Sequence, residues 1–175
     1  MKRVMVVGGP GSGKSTLARQ LGDITGLPVQ HMDMIHWSPG WVERSKPEKI
    51  ALVSAVERSD AWILEGGLSV TYDNRAARAD TLVWLDLPVV LRLFRVFKRR
   101  WQYRGGKSRP DLPENCPEKI DWDFFWWILS TVRAQREKIA DAVAKAPHLT
   151  IHHLKSRAEV RAFLDMQRNE QNLSN

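Results

Sequence analysis

The sequence contains a single cysteine, Cys116, so it can form neither an intrachain disulfide nor a cysteine-based metal site, and a reducing cytoplasmic setting is expected. Long hydrophobic runs are also lacking. The longest apolar stretch, Phe124 to Leu129, is too short to span a bilayer. Met1-Lys2-Arg3 is followed by an apolar run that stops at Gly8, short of a secretory core. Neither membrane insertion nor export is therefore expected. Internal repeats and low-complexity linkers are missing, as is any helix-turn-helix, zinc or RNA-binding signature.

Acidic residues are missing from one region in particular. Residues 92–109 contain no acid and eight cations, namely Arg92, Arg95, Lys98, Arg99, Arg100, Arg104, Lys107 and Arg109. The remaining residues are close to neutral, so the net charge of +7 is a local feature and not a property of the whole chain. A cluster of this kind attracts polyanions, either the phosphates of a small substrate or a nucleic acid backbone.

The run Gly8-Gly9-Pro10-Gly11-Ser12-Gly13-Lys14-Ser15 fits G-x-x-x-x-G-K-[ST], the pattern of a phosphate-binding loop. Its context is the required one. Arg3 to Val7 before it is short, apolar and β-branched, and Ser15 to Leu21 after it has helical periodicity. Glycines let the chain curl closely round a triphosphate so that several N–H groups converge at a helix N-terminus. Gly8, Pro10, Gly11, Ser12, Gly13, Lys14, Ser15 and Thr16 are thus expected to hold ATP, with Lys14 reaching the β- and γ-phosphates and Ser15 ligating Mg²⁺. No guanine-specific Asn-Lys-x-Asp run is present, which favours ATP over GTP.

Along the chain, short β-like runs alternate with helical patterns, which predicts an α/β fold with a parallel sheet covered by helices. Further strands are expected at Val29 to Met32, Ala61 to Leu64, Thr81 to Leu85 and Leu149 to Leu154. Helices are expected near Pro47 to Ser59, from Pro88 to about Tyr103, from Trp122 to about Ala144 behind an Asp121 cap, and from Ser156 through Met166. On the long helix, Phe125, Ile128, Leu129, Val132, Ile139 and Val143 mark the expected buried face. Asp33, Glu65 and Asp86 fall at strand ends on the carboxyl edge of the sheet, where ligands bind in open α/β folds. Glu65, costly to bury unpaired, is expected to meet a metal or a lysine, and Asp33 to accept a hydrogen bond from an acceptor hydroxyl. Most of the eight tryptophans are expected to be packing residues, with Trp37, Trp41 and Trp101 near the acceptor side or lid.

Asp80 to Pro88, running on to Arg95-Val96-Phe97-Lys98-Arg99-Arg100, resembles the adenylate-kinase-like P-loop kinases. The resemblance implies a three-layer P-loop NTPase sandwich with a five-stranded parallel sheet of order 2-3-1-4-5 and helices on both faces. It implies one domain over 1–170, with a short basic lid inserted at about 104–120 and a flexible tail at 171–175. It also implies that Arg95, Arg99 and Arg133 contact the transferring phosphate as the lid closes. A narrower likeness is to small bacterial P-loop proteins known as DNA topology modulation or flagellar-regulation related. It rests on His31-Met32-Asp33, Pro39-Gly40-Trp41, Trp62-Ile63-Leu64-Glu65-Gly66, Arg109-Pro110-Asp111 and Cys116-Pro117-Glu118-Lys119.

The departures narrow the acceptor. Adenylate kinases carry Asp-Gly where this chain has Glu65-Gly66, and their Thr-Gly-Asp acceptor motif is absent. Asp33 and His36 instead form D-x-x-H, which resembles gluconate and shikimate kinases, so AMP is not supported as acceptor. The expected activity is transfer of the γ-phosphoryl of Mg-ATP to an unidentified small molecule or nucleotide, by a monomer or homodimer. The alternatives are a nucleic-acid-binding regulator, with Trp101 and Tyr103 among the cations of residues 92–103, and a nucleotide sensor without phosphotransfer.

Overall fold

The computed structural model describes residues 1–103, 111–116 and 122–174. Most of the lid expected at 104–120, the Asp121 cap and the side chains of Arg100, Arg104, Lys107 and Arg109 lie outside the described residues.

Five parallel strands form the central sheet: β1 (Arg3–Gly8), β2 (Val29–His31), β5 (Trp62–Glu65), β6 (Thr81–Leu85) and β7 (Thr150–Leu154), in the order β2-β5-β1-β6-β7. Counting only these strands, the order is the expected 2-3-1-4-5. A second, two-stranded sheet pairs β3 (Trp37–Ser38) with β4 (Val42–Glu43) in an antiparallel hairpin.

The pleat of β1 sends alternate side chains to opposite faces, and each face has its own core. Val4 and Val6 join Leu17, Ala18 and Leu21 of α1 (Lys14–Thr25) and Phe163 and Leu164 of α7 (Arg157–Ser174). Met5 and Val7 pack on the other face with Val53 of α3 (Lys46–Glu57), Tyr72 and Ala76 of α4 (Tyr72–Arg78) and Ile139 and Ala142 of α6 (Trp122–Ala144). That arrangement is a three-layer α/β sandwich. Because β1, β5 and β6 are buried on both faces, they read as continuous apolar runs with no alternation.

Several local expectations are corrected. Strand β2 stops at His31, and Met32 opens a short helix, α2 (Met32–His36), so Asp33 lies in a helical first turn and not at a strand end. Helix α4, preceded by a 3₁₀ turn at Ser69–Thr71, had no counterpart in the sequence reading. Helix α7 continues past Met166 to Ser174, with Gln167 buried and donating to Glu170 at 3.0 Å, so residues 171–174 belong to it. On α6, Ile128 and Ile139 are buried as expected, but Leu129 is exposed. Trp126 and Trp127, expected to pack, are 63% and 50% exposed.

Candidate functional site

The loop between β1 and α1 adopts a conformation that its glycines make accessible. Gly11 has φ 74°, and a side chain there would collide with the Arg92 carbonyl; Gly13, with φ 96°, makes the left-handed turn into α1. The loop is braced from outside by α5 (Val89–Gln102), where Arg92 Nε donates to the Pro10 carbonyl at 3.0 Å and Arg95 donates to the Ser12 carbonyl at 2.9 Å. Arg92 is buried. Its place in the basic cluster is thus structural, a role the charge count alone could not reveal.

Lys14, the first residue of α1, folds back so that Nζ donates to the Gly9 carbonyl at 3.2 Å. Burial pushes its ammonium below the ordinary lysine range. The carboxylates of Glu65 and Asp33 pull it up, and the guanidinium groups of Arg92 and Arg99 push it down further. The lysine expected to bind phosphate therefore lies in the fields of both carboxylates expected at the site.

Glu65 ends β5 and is buried. Burial alone would raise its carboxyl, but a 2.7 Å hydrogen bond from His31 Nδ1 and the field of Lys14 outweigh it, with help from Ser15, and hold it below the usual range. An ionised carboxylate touching the Ser15 hydroxyl fits a hard divalent cation. Mg²⁺ takes one or two protein oxygens and completes its shell with phosphate oxygens and water. Among the described residues no group of three or more His, Cys, Asp or Glu is arranged to hold a metal by protein ligands alone. The carbonyls flanking Glu65, those of Leu64 and Gly66, each accept a 2.9 Å hydrogen bond from Arg75, whose side chain is completely buried. Arg75 was not singled out from the sequence, and His31 only as part of the motif His31-Met32-Asp33. The one available signal was spacing, since Tyr72, Arg75, Ala76 and Ala79 repeat at three and four residues as a buried helix face does.

The phosphate loop opens into a cleft of about 1620 Å³ that is also bordered by Asp33, Glu65, Arg95, Arg99 and Lys98. Gly8, Pro10, Gly11, Ser12, Gly13, Lys14, Ser15 and Thr16 all border it. Arg133 does not. Its side chain is 92% exposed and pairs with Glu137 one turn along the same helix at 2.8 Å. The face that α6 turns to the cleft carries Trp127, Thr131, Gln135 and Lys138, so Lys138 is the α6 cation that borders it. Asp86, at the end of β6, is held by Arg136 at 2.9 Å and His153 at 3.3 Å, in keeping with a structural role. Arg157 and Arg161 of α7 also border the cleft, at the i, i+4 spacing that follows β7. Burial and the nearby Arg157 push the Arg95 guanidinium below its ordinary value, so these two cations face one space.

Asp33, His36, Trp37 and Trp41, from α2 and the hairpin, also line the cleft. Arg44 ties the hairpin to α2 by donating to the carbonyls of Met34, Ile35 and Trp37. His36 lies within hydrogen-bonding reach of Glu43 and Lys49, and Lys49 is itself paired with Glu43. Trp41 has φ 62°, a left-handed conformation that costs a bulky residue about 1–2 kcal/mol.

No helix among the described residues is long and apolar enough to cross a membrane. No protein-family model and no curated protein sequence matches this chain. Solved structures do. Shikimate kinase from Aquifex aeolicus vf5 aligns over 99% of both chains with a TM-score of 0.57 and 15% identity. Shikimate kinase from Bacteroides thetaiotaomicron aligns over 98% of both, at 0.55 and 12%. Deoxyadenosine kinase from M. mycoides, with products dCMP and a flexible dCDP bound, aligns over 98% of this chain and 99% of its own, at 0.56 and 13%. At such identities the likeness speaks for architecture alone, and the chain has the P-loop kinase fold.

Proposed function

We propose that this protein is an ATP-dependent kinase that transfers the γ-phosphoryl group of Mg-ATP to the hydroxyl of a small acceptor. The observation that carries this reading is a complete phosphate loop in one cleft with an ionised Glu65 beside Ser15 and with Asp33 within the field of Lys14. Loop amides and Lys14 bind the triphosphate, and Arg95 and Arg99 neutralise charge on the moving group. Ser15 and Glu65 hold Mg²⁺, which offsets phosphate charge when bound. Asp33 orients the acceptor hydroxyl and takes its proton. Lys138 takes the position on α6 for which the family resemblance suggested Arg133. The narrower kinship with the topology-modulation-type P-loop proteins, and a cytoplasmic location, are parts of the same proposal.

The test is incubation with Mg-ATP and pooled nucleosides, nucleotides and sugar acids, followed by a search for phosphorylated product. Lys14→Ala should abolish both product and the thermal stabilisation by ATP, which at a hundredfold excess over Kd amounts to about 2.7 kcal/mol. An unchanged ATP shift in that variant would remove Lys14 from the site. Steeply salt-dependent DNA binding without any product would favour the nucleic-acid reading.

A further inference from the structure

The hairpin end of the cleft carries a second set of features that phosphate chemistry does not use. Trp37 and Trp41 meet edge to face, with ring centroids 5.1 Å apart and planes at 80°, and His36 lies 4.8 Å from Trp37. Trp127 borders the same cleft from α6. Trp41 is kept at its φ of 62° by contacts from a distant part of the chain: its N–H donates to Cys116 Sγ at 3.3 Å, and the Gly40 N–H donates to the Glu114 carbonyl at 3.2 Å. Cys116 and Leu112 are buried, so this clasp is a packed contact. Backbone strain sustained by two separate elements is a mark of a side chain held in place for a ligand.

Resting on the kinase reading above, we propose that the acceptor is a nucleoside, its base against the tryptophan corner and its primary hydroxyl at Asp33. Flat rings with π faces stack favourably on indole. A polyol offers no π face to the indoles, and hydroxyls buried against ring carbon without partners are unfavourable. In the transfer step the hydroxyl oxygen bonds to the γ-phosphorus as the bond from that phosphorus to the bridging oxygen breaks. ADP leaves with the bonding electrons, and the proton passes to the Asp33 carboxylate, giving a nucleoside monophosphate.

The experiment is titration of the intact protein, with a non-hydrolysable ATP analogue present, by single ribo- and deoxyribonucleosides, gluconate and inositol, read by tryptophan fluorescence and calorimetry. At least one nucleoside should bind and quench fluorescence, while gluconate and inositol do not. Trp41→Gly, which places glycine where the backbone already favours it, should weaken that nucleoside at least tenfold while leaving the ATP-induced thermal shift intact. Trp127→Ala, at an exposed helical position, is the second variant and should also weaken it. Binding of gluconate or inositol in preference to every nucleoside overturns the proposal, as does unaltered nucleoside affinity in both variants. Loss of the ATP shift in the wild-type protein would instead bring down the kinase reading, and this proposal with it.

Discussion

The two ends of the cleft are built by different means. At the phosphate-loop end much of the surface is main chain shaped by glycines, held at the Pro10 and Ser12 carbonyls by Arg92 and Arg95, with Arg75 holding the neighbouring end of β5. At the hairpin end it is side chain, two tryptophans on a two-stranded ribbon secured by Arg44 and by contacts from Glu114 and Cys116. A backbone site takes a chemistry that varies little, a phosphate chain, whereas a side-chain site can be refitted one residue at a time. In the proposed kinase, this contrast assigns the choice of acceptor to the hairpin.

The largest effect expected from breaking this contrast is at Arg75. In Arg75→Met, two buried carbonyls beside Glu65 lose their donor, and unfolding by urea should show a loss of about 3–5 kcal/mol. A loss below about 1 kcal/mol would mean that the end of β5 does not depend on this guanidinium. Next in size is the pair on α6. Lys138→Ala should lower kcat/KM for phosphoryl transfer about tenfold or more, equivalent to about 1.4 kcal/mol, whereas Arg133→Ala should leave it within about twofold. Equal losses would erase the distinction drawn from the cleft-facing stripe of the helix.

The smallest effect concerns the hairpin end. Burial and the Lys49 ammonium push the His36 imidazole below its ordinary value of 6.5, against the pull of Glu43 and Asp33. Between that lowered value and 6.5 the unfolded chain binds more protons than the folded one, so stability rises with pH through this window and levels off above it. Melting curves from about pH 5 to 7.5 should therefore climb more steeply for the wild type than for His36→Gln, by a few tenths of a kcal/mol because the ring is partly exposed. Coincident slopes would show that His36 carries no such penalty.

The same contrast explains what could be read from the sequence. The phosphate loop was legible because its geometry demands glycines, a lysine and a hydroxyl at fixed spacing, and the three central strands β1, β5 and β6 because burial on both faces makes them almost wholly apolar. The hairpin left only its turn as a trace, Pro39-Gly40 with Gly40 at φ 77°. Its strands are two residues each, half-buried or exposed, too short to show an alternating pattern. Helix α4 was hidden because Arg75 fills a core position that an apolar residue normally marks. Gln167 hid the continuation of α7 in the same way, although it extends the spacing of Phe163 and Leu164. Arg133 and Lys138 differ only in which side of one helix they occupy, and that depends on how α6 is rotated against α4, a tertiary matter.

The bonds from Arg92 and Arg95 to the carbonyls of Pro10 and Ser12 have a consequence for the loop itself. No cis peptide occurs among the described residues, so each oxygen drawn outward turns the N–H of the same peptide plane the opposite way. The amides of Gly11 and Gly13 are thereby aimed away from α5 before any anion arrives. If the proposed activity holds, a triphosphate meets two peptide planes whose orientation folding has already fixed.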